Sequence, residues 1–499
     1  MADLETKNSA VATEESGERK VKMRSLALDL VPMGSDEENR MADLKVTKTL
    51  PEGIESKMLY SDIIHIAWPS LVELTLTQLA SMVDLMMVGQ LGPWALTAVG
   101  LTTQPKFLLM TMFMAMNVGA TAMVARYKGA GNQKKADEVL RQALLMTFVL
   151  GCVFAVIGFI AAPWLIKFMG ASEDHVLQAG VDYLRIQMIG LPGLALTSTI
   201  TATLRGVGNS KTAMIYNAMA NIINVIFNYM LIYGNFGAPR MEVAGASLAT
   251  IIGQYCAMFM AFYAVMNGQQ YIILRFRDGF KPNKEEIKKI VDIGAPAMVE
   301  QVVMRIGLII YTRTVAGLGT LPYAVHQVCL NIQSLSFMNG QAFAVSATSL
   351  TGQSLGKKRH DMAQAYTTRT RKLGMCVSIF LGVVFFFFGG QIVALYSGGD
   401  QSLVELGAVI MMFVAVVQPF QSSQLILAGA LRGAGDTKVT AAITFITVLL
   451  VRPALAIFAI NVLGMGLEGA WYALVTDQIL RSLLVLLRYN SGAWKRHTM

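Results

Sequence analysis

The sequence predicts an all-α membrane protein whose twelve transmembrane helices form two six-helix lobes related by a parallel internal repeat. Composition gives the first indication: 54% of the 499 residues are hydrophobic, 15% are charged, and the mean hydropathy is +0.51. These values lie outside the usual range of soluble domains. A series of long apolar stretches gives the second indication, and a motif that occurs twice gives the third.

The apolar stretches define the helices. Each is long enough to cross the hydrocarbon core as a helix rising about 1.5 Å per residue. They are too long and too continuous for membrane strands, which show alternating segments of about ten residues. The stretches lie near residues 61–89, 95–125, 139–166, 176–203, 212–234, 243–266, 287–316, 323–354, 368–395, 402–430, 439–462 and 467–488.

The repeat divides these helices into two halves. Residues 204–211 read LRGVGNSK and residues 431–438 read LRGAGDTK, an offset of 227 positions. A proline and a glutamate of the first span recur at the same offset, as Pro69 with Glu73 and Pro296 with Glu300. An even number of spans per half gives both halves the same orientation. We therefore expect an axis along the membrane normal and a central cleft between the lobes.

Basic residues predict the orientation in the membrane. Lys and Arg are concentrated in the loops after the second, fourth, sixth, eighth and tenth spans, whereas the alternate loops contain only Lys167 and Arg240. Basic loops remain in the cytoplasm, so both termini are predicted to be cytoplasmic in a protein of the plasma membrane. This asymmetry and the anionic inner leaflet explain the net charge of +9 without a nucleic-acid partner.

The segments outside the spans have a different composition. Residues 1–58 are polar and charged and are predicted to be a disordered cytoplasmic tail. The N-lobe is assigned to 59–267, a basic cytoplasmic linker to 268–286, the C-lobe to 287–488 and a C-terminal cytoplasmic tail to 489–499. The four cysteines fall within apolar spans at spacings that match no zinc site, which indicates reduced packing residues.

Polar side chains within three spans of the N-lobe predict a binding site. Asp84 is an intramembrane carboxylate, which is costly unless it faces a partner, a cation or water. Thr250 of the sixth span and the end of the fifth span lie at the same depth, roughly 9–12 Å from the outer surface. The fifth span carries four asparagines on one helical face: Asn217, Asn221, Asn224 and Asn228.

Two readings of this cluster remain open. Carboxylate, amide and hydroxyl oxygens suit a hard monovalent cation, and Asp84 alone suits a proton. The asparagines also suit interhelical hydrogen bonds that only hold helices together. The repeat position of Asp84 is Tyr311, so the C-lobe has no equivalent carboxylate there.

Further charged residues are candidates for the substrate pathway or for structural pairs. Glu73 and Glu300 follow helix prolines by four residues, where each would contact a cationic substrate or cap groups freed by a bend. Arg305 needs a buried acceptor and is a pathway candidate, and so are Asn217 and Asn221 of the fifth span. Asp477 and Arg481 are spaced for an intrahelical ion pair. His326 is predicted to be a hydrogen-bonded structural residue, with titration as the second choice.

These residues give the chain a resemblance to the multidrug and toxic compound extrusion family. The similarity runs from about Ile63 to Arg488. It rests on VDLMMVGQLG at 83–92, the paired LRGxG loops, NVIFN at 224–228 and VAGASLAT at 243–250. The resemblance implies a two-lobe exporter that alternates between outward-open and inward-open states. It also implies a cation-binding motif in the amino-terminal lobe, which this chain matches at Asp84, Asn224, Asn228 and Thr250.

The implied activity is exchange of Na⁺ or H⁺ for amphipathic, often cationic, organic compounds. The chain is expected to need no cofactor, to bind small-molecule substrates and membrane lipids, and to act as a monomer. It is not expected to be an enzyme. A lipid or lipid-linked precursor flippase of the same superfamily is the alternative, kept open by Arg305, Arg313 and Arg452. Nucleotide-binding and metalloprotease motifs are absent from the sequence.

Overall fold

Twelve long helices form the body of the protein in a computed structural model that describes residues 25–35, 50–51, 53–170, 173–395 and 400–496. The described residues contain α-helices, a π-helical segment and short 3₁₀ turns, and no strand. The helices are α1 Ser56–Gly89, α2 Pro93–Gly129, α3 Gln133–Phe168, α4 Asp174–Gly206, α5 Ser210–Tyr233, α6 Glu242–Met266, α7 Lys284–Ala316, α8 Thr320–Gly356, α9 His360–Ala394, α10 Gln401–Gly433, α11 Thr437–Asn461 and α12 Gly466–Asn490.

The helix boundaries repeat with the same offset as the sequence. Shifting α2 by 227 residues gives the bounds of α8, and shifting α4 gives those of α10. The turns repeat as well: Gly208 and Gly435 have φ of +81° and +84°, a conformation that glycine adopts without steric cost. The predicted twelve-helix, two-lobe fold is therefore confirmed, with α1–α6 in the N-lobe and α7–α12 in the C-lobe.

Two of the predicted spans are less apolar than expected. Ten of the twelve helices are long and apolar enough to cross a membrane by themselves, but α4 and α8 are not. Both are extensively covered by protein. For example, Gln333, Ser336 and Asn339 of α8 are buried and bond to side chains of neighbouring helices. Polar side chains are tolerated in these helices because neighbouring protein, rather than lipid, satisfies them.

The lobes are packed together at the end of the bundle that carries the basic loops, which we call the basic end. A Cβ atom on Gly129 would overlap the carbonyl oxygen of Gln353, and one on Gly356 would overlap that of Arg126. These two contacts are related by the repeat. Ser349 and Gln353 also donate to the carbonyl oxygen of Gly206, at 2.9 and 3.0 Å. The structure is therefore of a state closed at the basic end.

Part of the N-terminal segment is ordered, which corrects the prediction of a disordered tail for residues 25–35. Ala27–Leu30 form a 3₁₀ turn in which Ala27 and Leu28 are buried. The amide of Ala27 donates to Asp62 of α1 at 2.8 Å, while Lys357 of the α8–α9 loop donates to the carbonyl oxygen of Leu28 at 2.7 Å. This segment thus joins the two lobes. The prediction is also wrong at its end, because Ile54 is buried and residues 56–58 are the start of α1. Residues 1–24, 36–49 and 52 of the predicted tail lie outside the described residues.

The linker between the lobes is also packed on the protein. The buried side chains of Ile272 and Leu274 join the N-lobe core, and the amide of Ile273 donates to Asp137 of α3 at 2.7 Å. Helix α7 begins at Lys284, slightly before the predicted start of the C-lobe. The segment before α7 therefore packs on the N-lobe, just as the segment before α1 reaches the C-lobe.

Candidate cation site and the adjoining cavity

The four asparagines of α5 face α1, as their spacing predicts. Asn217 donates to Glu73 at 2.7 Å, and Asn221 donates to the hydroxyl of Thr77 at 3.2 Å. Asn228, further along the same face, donates to Asp84 at 2.5 Å. This ladder holds α1 and α5 in register, so the interhelical role expected of the asparagines is present. It also places Asp84 among amide groups.

Asp84 lies at the centre of the predicted four-residue cluster. The amide of Asn224 lies between Asp84 and Thr250. In the amide orientation that satisfies both neighbours, its nitrogen donates to the two Asp84 oxygens at 2.8 and 3.1 Å, and its oxygen accepts from the Thr250 hydroxyl at 3.3 Å. Asn228 is fully buried, and its Oδ1 atom has no hydrogen-bond partner in the described part of the chain. The cluster therefore presents carboxylate, amide and hydroxyl oxygens from α1, α5 and α6.

The chemistry of this cluster suits one small monovalent cation or a proton. A divalent transition-metal site would need several His, Cys, Asp or Glu side chains, and the described residues contain no such group. Here a single carboxylate carries the formal charge, and neutral oxygens complete the set. The unpartnered oxygen of Asn228 is an acceptor that a bound cation would satisfy.

A cavity of about 360 Å³ opens beside Asp84 within the N-lobe. Helices α1, α2, α4, α5 and α6 all contribute to its wall, and its lining includes Asn217, Asn221, Asn224 and Thr250. Pockets that bind drug-sized ligands begin at about 300 Å³. The cavity thus has room for a small organic molecule in contact with the candidate cation site.

Sequence reasoning missed one charged residue of this cavity. Lys106 of α2 lines the wall together with Asp84. It lies between Pro105 and Phe107 within the apolar stretch 95–125, where its charge was hidden among hydrophobic neighbours. Its position within a predicted transmembrane span could have identified Lys106 as a candidate site residue, because a lysine there is rare and typically functional.

Glu73 and Glu300 form matching ion pairs with the arginines of the duplicated loops. Glu73 pairs with Arg205 at 2.7 Å, and Glu300 pairs with Arg432 at 2.8 Å. All four residues obey the repeat offset of 227. Each glutamate therefore ties the first helix of its lobe to the end of the fourth, a role that neither of the two expected readings described.

The paired arginines line a second cavity, of about 180 Å³, between the lobes. Its lining consists of repeat-related pairs, including Thr121 with Thr348 and Arg205 with Arg432. Glu73 and Glu300 do not belong to the lining of either cavity described here. Arg305 lies elsewhere, with its guanidinium 4.8 Å from the ring centre of Phe107, which lines the N-lobe cavity.

The C-lobe contains a different arrangement at the positions that correspond to the cation site. Tyr311 replaces Asp84, but Asp477 stands at the repeat position of Thr250. Asp477 is fully buried and accepts from Arg452 Nε at 3.0 Å and from Arg481 Nη2 at 3.1 Å. The predicted Asp477–Arg481 pair is thus present and gains Arg452 as a second partner.

Local backbone geometry brings Arg452 to this carboxylate. Phe445–Val451 of α11 form a π-helical segment, and Arg452 follows it directly. Such segments often occur at functional sites. His326 is buried between the rings of Tyr311 and Trp471, each centred 5.6 Å away, and neither of its ring nitrogens has a partner in the described residues. The hydrogen bonds predicted for His326 are therefore not found.

Comparison with known proteins places these features in a family. The family profile MatE matches residues 69–230 and 296–458, one match in each lobe. A probable multidrug resistance protein NorM of Thermotoga maritima is 27% identical over 439 residues, which cover 88% of this chain and 94% of that protein.

Solved structures share the fold. A MATE protein in the bent conformation matches with a TM-score of 0.80 at 22% identity, covering 88% of this chain and 96% of the other. An outward-facing multidrug resistance MATE family transporter of the MOP superfamily gives a TM-score of 0.81 at 21% identity, covering 90% and 100%. The resemblance stated from the sequence is confirmed, and this multi-pass membrane protein belongs to the MATE family.

Proposed function

We propose that this chain is a secondary active multidrug efflux antiporter that exchanges Na⁺ or H⁺ for amphipathic, often cationic, organic compounds by alternating access. The observation that carries the proposal is the Asp84 cluster with its adjoining N-lobe cavity. The names of the relatives support the substrate class, since the Thermotoga protein is described as a probable multidrug resistance protein.

The coupling ion binds Asp84 with the support of Asn224, Asn228 and Thr250. The structure is closed at the basic end, which is the cytoplasmic end by the distribution of Lys and Arg. An inward ion gradient loads Asp84 from the opposite side, and substrate leaves in that state. Coupling requires the ion and the substrate to favour different states, because a ligand that binds both states equally shifts neither population.

The proposal extends to the cellular setting. The transporter resides in the plasma membrane with both termini in the cytoplasm, acts as a monomer and needs no cofactor beyond the coupling ion. Membrane lipids contact the exposed apolar side chains of its outer helices, such as Phe380 and Phe387 of α9. Asn217 and Asn221 contribute to substrate binding because both line the cavity.

Dye efflux from proteoliposomes tests the proposal. Na⁺ and pH gradients are imposed separately on vesicles that contain the full-length protein. We expect one gradient to drive efflux and the Asp84→Asn variant to lose that efflux while remaining folded. Asp182→Asn is a matched control, because Asp182 bonds Gln178 of its own helix and does not line the cavity. Normal gradient-driven efflux by Asp84→Asn would refute the proposal.

Flipping of an anionic lipid is a second candidate that one observation favours. Arg205 and Arg432 both line the cavity between the lobes, where a phosphate headgroup would meet two guanidinium groups. Their pairing with Glu73 and Glu300 balances those charges, so drug export ranks first. A fluorescent-lipid translocation assay in the same vesicles separates the two functions, since a flippase moves lipid and leaves the dye inside.

A further inference from the structure

Lys106 is a charged group of the N-lobe cavity that the proposed function does not use. It projects from α2 into the wall that it shares with Asp84 of α1. In the described part of the chain it has no hydrogen bond or ion pair, whereas Asp84 is bonded by neutral amides. Both side chains line the same cavity of about 360 Å³. An ammonium group without a fixed partner thus lies within reach of the candidate cation site.

The other groups around the cavity leave Lys106 as the counter-charge of Asp84. Helix α4 contributes Tyr183, and α5 and α6 contribute only amide, hydroxyl and apolar side chains to the lining. The guanidinium of Arg305 from α7 lies over the ring of Phe107 and does not line the cavity. With both side chains ionised, the formal charge of the cavity lining is zero.

The C-lobe contains a buried carboxylate whose cationic partners are held in place. Asp477, at the repeat position of Thr250, is bonded by the tethered cations Arg452 and Arg481 and is fully buried. In the N-lobe the carboxylate instead faces an open volume of about 360 Å³. A lysine on its flexible four-carbon stem can enter and leave such a volume, whereas packed guanidinium groups cannot.

We propose that the Lys106 ammonium is a tethered competitor of the coupling ion: it neutralises Asp84 when no ion is bound and is displaced when the ion loads. This inference rests on the proposed function, in which Asp84 binds the ion. Displacement leaves the ammonium protonated, so ion loading changes the formal charge of the cavity from zero to +1. The added charge repels an organic cation and favours its release, which links the two halves of the exchange.

Ion binding by charge-removing and charge-preserving variants tests this role. In Lys106→Met the stem remains and the charge is lost, while Lys106→Arg keeps the charge. We expect Lys106→Met to bind the coupling ion about tenfold more tightly or better, because a nearby positive charge no longer opposes it. If the ion is H⁺, the pH midpoint of proton uptake rises by about one unit. Lys106→Arg retains the wild-type affinity.

The measurements use purified full-length protein, with ²²Na⁺ binding for Na⁺ and a pH-indicator titration for H⁺. Lys106→Gln serves as a second neutral variant should Lys106→Met fail to elute as a monodisperse species. Wild-type ion affinity in the folded neutral variant would overturn the inference. Failure of the proposed function itself is recognised separately, because Asp84→Asn would then retain both ion binding and gradient-driven efflux.

Discussion

Replacement of Asp477 by Asn should destabilise the C-lobe more than any other single change in its buried charge cluster. The carboxylate is fully buried and accepts three hydrogen bonds from two arginines, two from Arg452 and one from Arg481. Asparagine preserves the shape but removes the only negative charge among these three side chains. Two buried guanidinium groups then face each other and an amide that itself carries donors.

The magnitude follows from the cost of an uncompensated buried charge. Removing one partner of a buried ion pair typically costs about 3–5 kcal/mol, and Asp477→Asn removes the shared partner of two cations. Arg481→Met should cost about 1.5–3 kcal/mol, the range for one hydrogen bond to a charged group, because Asp477 keeps its Arg452 contacts. The expected order of destabilisation is therefore Asp477→Asn, then Arg452→Met, then Arg481→Met.

Thermal unfolding of the purified proteins in one detergent, followed by size-exclusion chromatography, measures this order. Glu405→Gln is a suitable control, because Glu405 is an exposed carboxylate on α10 of the same lobe. The reasoning would be refuted if Asp477→Asn melted at the wild-type temperature, or if Arg481→Met were the most destabilised of the three.

Three further predictions concern the closure of the basic end, the repeated ion pairs and the buried N-terminal segment. Gly356→Val should prevent closure, because a Cβ atom at position 356 overlaps the carbonyl oxygen of Arg126. We expect this variant to lose efflux and to show faster thiol labelling of cysteines placed at the basic end. Unchanged labelling would contradict this prediction. Glu73→Gln and Glu300→Gln should each destabilise the protein by about 1–3 kcal/mol in thermal unfolding, since each weakens one charge-assisted pair. A large effect of only one of these two variants would show that the two ion pairs are not equivalent. Leu28→Asp should release the buried N-terminal segment and raise hydrogen exchange at the start of α9, where the hydroxyl of Tyr366 donates to Asp62 of α1. Unaltered exchange would mean that the N-terminal segment does not stabilise the contact between the lobes.

The predictable part of the fold came from signals that are local or periodic. Apolar stretches located all twelve helices, because helix length in a membrane is fixed by the hydrocarbon thickness. The prediction was weakest for α4 and α8, since surrounding protein allows these helices to carry polar residues that lipid would not accept. The ordered N-terminal segment was missed because its few apolar residues have meaning only against the opposite lobe.

The candidate site was partly predictable for a similar reason. The four asparagines lie on one face of α5, and such a face can be predicted from residue spacing alone. Asp84 could be predicted because it is a carboxylate within an apolar span. Lys106 was missed because its relation to Asp84 depends on how α2 packs against α1. The ion pair of Glu73 with Arg205 joins residues on α1 and α4, so spacing within one helix carried no information about it.

The sequence by itself determined the helix count, the repeat and the polar face that carries the candidate cation site, because each depends on residue order along one helix or on one offset. Only the tertiary structure decided which charges meet. It paired the glutamates with the repeated arginines, brought Arg452 to Asp477 as a second partner beside Arg481, and placed Lys106 in the wall of the same cavity as Asp84. The physical reason is that charge pairing inside a membrane depends on the distance between different helices, which their packing sets.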